Sequence, residues 1–299
     1  MHDDVAVQVH GLTKRFGSTL AVDDVSFTVP RGRVVGFLGP NGAGKSTTMR
    51  MMVGLTAPTA GEARFGGVRF HDLADPTRTV GSIVDGVDHH PGRRAIQELA
   101  ISALAAGIPR RRCDEVLDLV GLGAVSRKRV GEFSLGMRQR LGLAQALLGD
   151  PEILLLDEPA NGLDPEGIHW VRSLLRHFAD QGRAILVSSH LLTEVSRLAD
   201  EVLVIRQGRL VAHASVDELT AGGGAVLVAS DDDPGLAASL RRLGADVTEH
   251  EAELTVVGLE ADEVGRAARD AGVALRRLQP RSNDLEAVFM ELTAGEEIA

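Results

Sequence analysis

Hydrophobic positions along this chain of 299 residues follow three different patterns. Near the N-terminus they alternate. "VAVQV" at 5–9 predicts an edge strand, and "GEARFGGVRF" at 61–70 alternates on both sides of Gly66–Gly67, as a hairpin requires. Further on they form unbroken runs: 33–38, "EILLLDEP" at 152–159 and "AILVSSH" at 184–190. Apolar runs bounded by polar residues suit strands buried on both faces of a parallel sheet. A helical pattern over 166–180 lies between the last two, where a right-handed crossover needs a helix. Helical spacing also marks 94–106 and "CDEVLDLVGL" at 113–122, with Val116, Leu119 and Val120 expected on its buried face. "EVLVIRQGRLVA" at 201–212 reads as strand, turn at Gln207–Gly208, and strand. Residues 1–221 are therefore expected to form one α/β domain with an added antiparallel portion.

A second rhythm begins after "AGGG" at 221–224, which reads as a linker. Over 225–295 the order is strand, helix, strand, strand, helix, strand. That is the order of a small α+β ferredoxin-like domain. The last element of this stretch, after its final strand, is a capped helical pattern at 283–292, with Asn283 as N-cap and Glu286 three positions on. Charge changes at the same place. Residues 222–299 carry 16 acidic and 7 basic residues, so nearly all of the net charge of −10 resides there.

Composition narrows the functions available. The acidic balance and the low aromatic content, with one Trp and no Tyr, argue against nucleic acid as a partner. One cysteine, Cys113, excludes an internal disulfide and suits a reducing compartment. No apolar run approaches the roughly 18 residues that cross a bilayer. The acidic N-terminus lacks a signal-peptide core. These features predict a cytoplasmic protein.

Three strand ends carry chemistry. "GPNGAGKST" at 39–47 matches the phosphate-loop pattern G-x-x-x-x-G-K-[ST]. Gly39, Asn41, Gly42 and Gly44 let the backbone curl so that N–H groups point inward, and the following helix offers its positive end to phosphate. Lys45 then reaches the β- and γ-phosphates, Ser46 ligates Mg²⁺, and Thr47 donates to the α-phosphate. At the end of the second apolar run, Asp157 is placed to hold Mg²⁺ through water and Glu158 to act as general base. His190 follows the third run. Ligands of open α/β sheets lie outside the carboxyl ends of the strands, so His190 is expected to converge there, contact the γ-phosphate and orient Glu158. A fourth stretch, "FSLGMRQR" at 133–140, starts an N-capped amphipathic helix whose apolar positions are Leu135, Met137, Leu141, Ala144 and Leu148. Its N-terminus is a further anion site. One phosphate loop being already present, it suits the γ-phosphate held by a second chain, with two chains enclosing two nucleotides head to tail.

The ordered set "GPNGAGKST", "FSLGMRQR", "ILLLDEP", "GLD" and "SSH" resembles the ATP-binding subunit of ABC transporters over about residues 5–220. The resemblance implies a P-loop NTPase fold with a parallel core sheet, an antiparallel β subdomain and a helical subdomain. It implies ATP hydrolysis coupled to transport, with Mg²⁺, a second ATP-binding subunit and separate integral membrane permease subunits as partners. The chain would then sit on the inner face of the cell membrane. By the same resemblance Ser134 and Gly136 belong to the family's signature motif, whose usual glutamine is here Met137. Asp164 in "NGLD" would touch the opposite subunit's site, and Phe16 would stack on adenine. Asp85 stands where the family has a glutamine near Mg²⁺ and the membrane-subunit contact. A carboxylate there binds Mg²⁺ more strongly than an amide but donates no hydrogen bond at neutral pH. Segment 86–112 would receive a helix of the membrane subunit, and His89 and His90 within it read as a surface pair. The motifs together with "LEAVFMELT" at 285–293 resemble bacterial exporter ATPases of the daunorubicin-resistance and bacteriocin-immunity type. The alternative is a soluble ABC ATPase acting on DNA or ribosomes. Against it stand the single phosphate loop, the lack of a heptad run and the lack of a basic face. The small second domain holds no catalytic constellation; dimer contact, regulation and plain filler are its readings.

Overall fold

The computed structural model describes residues 4–84, 89–190, 195, 197–221, 225–250 and 253–281. The chain forms two compact units, Met1–His213 and Ala214–Ala299.

In the first unit two long strands, β1 (Val5–Phe16) and β2 (Thr19–Pro30), pair antiparallel. After β3 (Val34–Leu38) and helix α1 (Lys45–Met52), the hairpin of β4 (Ala60–Phe65) and β5 (Val68–Arg69) joins them. The resulting sheet has the order β2-β1-β4-β5. Strand β1 is thus internal, not the edge strand its alternation suggests, because Val7–Thr13 pair with residues of β4 about fifty positions away. The strand continues past Val9 through register shifts around Gly11, whose φ of 57° suits only glycine well.

The short helix α2 (Pro76–Thr79) leads into β6 (Val80–Ile83), and α3 (Ala95–Ala105), α4 (Arg111–Leu119) and α5 (Leu135–Ala146) follow. Then come β7 (Ile153–Asp157), α6 (Pro165–Asp180), β8 (Ala184–Ser189), β9 (Glu201–Arg206) and β10 (Arg209–Ser215). The central sheet has the order β10-β9-β3-β8-β7-β6, and β6, β7, β8, β3 and β9 are parallel to their neighbours. Alternation within the apolar runs explains the layers. Leu154 and Leu156 of β7, with Ile185 and Val187 of β8, face a core shared with α3, α4, α5 and α6. Ile153, Leu155, Ala184 and Leu186 face the opposite core, shared with α1 and the antiparallel sheet. Both faces are dry, so every position of β7 and β8 is buried.

Helix α4 buries Val116 and Leu117, while Leu119 is 41 % exposed. The turn contributes Leu117 in place of Leu119 because Cys113, Val116, Leu117 and Val120 form the i, i+3, i+4, i+7 stripe. Helix α5 differs similarly: Leu141 and Ala144 are buried, but Leu135 is 52 % exposed in the first turn.

After α7 (Val216–Ala221), the second unit has β11 (Ala225–Ser230), α8 (Asp233–Arg242), β12 (Asp246–Glu249), β13 (Leu254–Val257), α9 (Ala261–Ala271) and β14 (Leu275–Arg281). Its sheet order is β12-β13-β11-β14, all antiparallel. That is the ferredoxin-like order, and Val226, Val228, Leu236, Leu240, Leu254, Val256 and Val264 form its core. The helical pattern at 283–292 lies outside the described residues. Among the described residues no helix is long and apolar enough to cross a membrane.

Candidate functional site

Strand register sets the site. Leu38 pairs with Ser189, and Asp157 pairs with Ser188, so β3, β7 and β8 end nearly level. The residues that follow, Gly39, Glu158 and His190, therefore emerge together at the carboxyl edge of three adjacent strands. The loop 39–44 leads from β3 into α1, whose N-cap Gly44 has φ 111°. At Gly39 a Cβ would lie 2.4 Å from the Ile205 carbonyl, and at Gly44 it would lie 2.8 Å from the Ala21 carbonyl. These glycines let the loop pass against the backbone of β9 and β2. We expect Gly39→Ala to cost about 1–3 kcal/mol, the usual range for an overpacked site. A lower melting temperature and lost nucleotide binding would be read by calorimetry and fluorescent-nucleotide titration.

Lys45 is 6 % exposed and its Nζ donates to the carbonyls of Gly39, at 2.7 Å, and Pro40, at 3.3 Å. Burial holds its pKa below the ordinary lysine value, while the charges of Glu158 and Asp157 pull it partly back up. The ammonium thus curls back onto its own loop, a partly desolvated cation held by two of that loop's carbonyls.

Asp157, also 6 % exposed, accepts a short hydrogen bond from the Ser188 hydroxyl. That same oxygen accepts from the Glu158 N–H at 3.0 Å. Ser188 thereby fixes the rotamer of one acid and the backbone of the next. Glu158 has φ 51°, in the left-handed region. This conformation costs an ordinary residue about 1–2 kcal/mol and turns its carboxylate toward His190. His190 Nδ1 and Glu158 Oε2 are 2.8 Å apart. Sequence reasoning had no place for Ser188; its signal was a hydroxyl wholly buried at the end of an apolar run, which demands a polar partner.

The second cluster begins at Ser134, the N-cap of α5, whose hydroxyl accepts from the Met137 N–H at 3.2 Å. Asp164 caps α6 in the same manner, accepting from Gly167 N–H at 2.9 Å. The two helix starts touch. A Cβ on Gly162 would lie 2.1 Å from Leu135 Cδ2, and one on Gly136 would lie 3.1 Å from Leu163 Cδ2. This explains the exposed Leu135: it rests on the turn 161–164 rather than in the core. Phe16 is 51 % exposed at the end of β1, with Lys14 Nζ 4.8 Å from its ring centroid. Asp85 lies outside the described residues. His90 is exposed, but the His89 side chain is 3 % exposed and its Nδ1 lies 3.8 Å from Glu98 Oε1, so the two are not a surface pair.

The donor set suits Mg²⁺ delivered with a nucleotide. Among the described residues no group of three or more His, Cys, Asp or Glu could hold a metal ion. A serine hydroxyl and one carboxylate leave most of an octahedron to phosphate and water, which is how Mg²⁺ is usually bound.

A phosphate loop on the central strand, an acid pair on the next strand but one and a histidine between them define a P-loop nucleotide-binding fold. Comparison with known proteins narrows the class. Residues 22–161 match the family described as ABC transporter, and residues 224–286 match a domain of unknown function, DUF8746. Among curated relatives, the bacitracin transport ATP-binding protein BcrA of Bacillus licheniformis is 36% identical over 298 residues, 97% of each chain. The lantibiotic transport ATP-binding protein SrtF of Streptococcus pyogenes is 36% identical over 213 residues, 71% of this chain and 91% of that one. A solved structure of the ATP-binding subunit of an ABC transporter superposes with a TM-score of 0.66 at 28% identity, covering 72% of this chain and 92% of that one. The chain belongs to the ABC transporter family, as an ATP-binding subunit with an ATPase domain. Nothing in these likenesses favours a soluble nucleic-acid enzyme.

Proposed function

We propose that the chain drives export of a peptide antibiotic or another hydrophobic compound through separate membrane permease subunits. The observation that carries this reading is the convergence of Lys45, Asp157, Glu158 and His190 at one sheet edge, together with the similarity to ATP-binding proteins of bacitracin and lantibiotic transport.

The backbone N–H groups of 39–47 and Lys45 bind the β- and γ-phosphates, and Phe16 carries adenine. Ser46 and Asp157 would hold the Mg²⁺ that accompanies ATP, and the ion would supply charge neutralisation to the phosphates. Glu158 accepts a proton from the attacking water, with His190 fixing its carboxylate. Ser134 and Gly136 start a helix whose N-cap is exposed, and the turn that ends at Asp164 adjoins them. These residues serve the nucleotide of a second copy, closing a head-to-tail dimer when ATP is present. Leu135 and Gly162 hold the two donated segments in one body, so they approach the opposite site together.

The permease contact falls on α3. A groove of about 580 Å³ runs along Ala100, Ile101, Leu104 and Ile108, with Arg93 and Arg110 at its rims. Leu104 is 83 % exposed, and a row of bare aliphatic side chains of this kind marks a docking site. It would hold the chain on the inner face of the membrane. Deleting the gene in its host should raise sensitivity to bacitracin-like or lantibiotic peptides several-fold. Wild type should restore resistance and Glu158→Gln should not. Unchanged sensitivity across a panel of membrane-active antibiotics, with Leu104→Glu still sedimenting with membranes, would refute the export reading.

A further inference from the structure

The aromatic platform is backed by a cation. Phe16 ends β1 at a hairpin whose partner strand runs beside the phosphate loop: the Ala21 carbonyl would lie only 2.8 Å from a Cβ on Gly44. Two residues earlier on the same strand, hence on the same face, Lys14 is half-buried and reaches over the Phe16 ring, with Nζ 4.8 Å from the centroid. Its Nζ also donates to the Ala57 carbonyl at 2.6 Å. No carboxylate is paired with Lys14 among the described residues. Its charge is spent on one ring face and one carbonyl.

A cation over one face of an aromatic ring draws π-density toward itself. The opposite face becomes less electron-rich and receives the π-cloud of a purine with less repulsion, in an offset stack. The Ala57 bond holds the ammonium in place and ties the hairpin to the segment entering β4. Phe16 is half exposed with Lys14 over one face of its ring, so a base has a face left to occupy. A phenylalanine lacks the hydroxyl with which a tyrosine would add polar contacts to the base, so the backing cation matters more here.

We propose that Lys14 is a positioning residue for nucleotide base binding, acting through the Phe16 ring in a lysine–phenylalanine–purine stack. The inference rests on the reading of Phe16 as the adenine platform. Three consequences follow from the geometry. Base affinity depends on charge at position 14, so arginine replaces lysine and methionine does not. Polyphosphate affinity does not depend on it, because the Lys14 ammonium is held by the Phe16 ring and the Ala57 carbonyl and not by the loop 39–47. The effect vanishes when the ring is removed.

The test is a double-mutant cycle on the full chain, with Kd measured by calorimetry for ATP and for inorganic tripolyphosphate. Phe16→Leu should weaken ATP by about tenfold, a typical loss for base–aromatic stacking, and leave tripolyphosphate unchanged. Lys14→Met should raise the Kd for ATP about three- to fivefold, leave tripolyphosphate unchanged, and be rescued by Lys14→Arg. In the Phe16→Leu background, Lys14→Met should change nothing further. If Phe16→Leu has no effect on ATP, the platform reading itself fails. If Phe16→Leu weakens ATP but Lys14→Met does not, or weakens it equally in both backgrounds, the platform stands and the proposal for Lys14 is overturned. Equal loss of tripolyphosphate would show that Lys14 merely anchors the hairpin through Ala57, which also overturns it.

Discussion

Glu158→Gln should slow ATP turnover by a factor of about 10²–10⁴, the contribution of a positioned general base, while ATP affinity stays within a few-fold of the parent. The substitution is nearly isosteric, and an amide can still pair with His190, whose Nδ1 lies 2.8 Å from the carboxylate. What it removes is the ability to take a proton from water. The backbone should hold, because the left-handed φ of 51° at this position is imposed by the Ser188 hydroxyl and by the level ends of β7 and β8, not by the side chain. Slowed hydrolysis has a second consequence under the dimer reading. ATP stays in place, so the head-to-tail dimer should accumulate in MgATP and be seen by analytical ultracentrifugation. A variant that turns over at the parental rate would move the base elsewhere. One that is slow yet strictly monomeric at saturating MgATP would break the assignment of Ser134, Gly136 and Asp164 to a second chain's nucleotide.

Much of this architecture is written in local patterns. The five-residue runs of β3 and β7, and the six-residue run of β8, are buried at every position. Only a strand covered on both faces can tolerate such a run. The phosphate loop is legible for a related reason: its glycines answer to specific clashes, at Gly39 with Ile205 and at Gly44 with Ala21. The ferredoxin-like order of the second unit follows from six short elements whose alternation is clean.

What was hidden depends on long-range pairing. Nothing in "VAVQV" says that β4, half a hundred residues on, will cover its other edge. Leu119 and Leu117 are interchangeable on a short helix until α3 and α5 fix the buried stripe, and the structure chose Leu117. His89 resembled a surface residue because its neighbour Glu98 is nine positions away and becomes adjacent only when the loop before α3 folds back. Ser188 and Lys14 escaped notice for a shared cause. Each touches a candidate site residue without matching a motif: Ser188 bridges Asp157 to the backbone of Glu158, and Lys14 lies over Phe16. Motif spacing identifies groups that touch substrate, whereas their supports are chosen by the fold and are visible only in it.

Lys45→Met should abolish nucleotide binding while leaving the nucleotide-free protein at least as stable as the parent, an unusual pairing of signs. The loss of binding is large because the ammonium is the loop's only full positive charge within reach of the β- and γ-phosphates, and the stabilisation by MgATP, which grows as RT ln(1 + [L]/Kd), should vanish from melting curves. The gain in stability comes from burial. Desolvation is the largest influence on Lys45 and outweighs the attraction of Glu158 and Asp157, so its pKa lies below the ordinary value. Between the folded and unfolded pKa values the unfolded chain binds more protons. Stability therefore rises with pH across that window, and below it the folded protein carries the full penalty of a buried charge. A neutral methionine removes the penalty and with it that part of the pH dependence. Triphosphate does the same by a different route: its charge restores the ammonium's preference for protonation, so binding should take up a proton at alkaline pH, measurable by calorimetry in buffers of different ionisation enthalpy. A Lys45→Met protein that melts well below the parent without nucleotide would mean that its bonds to Gly39 and Pro40 outweigh the desolvation, and a retained MgATP shift would remove Lys45 from the phosphate site.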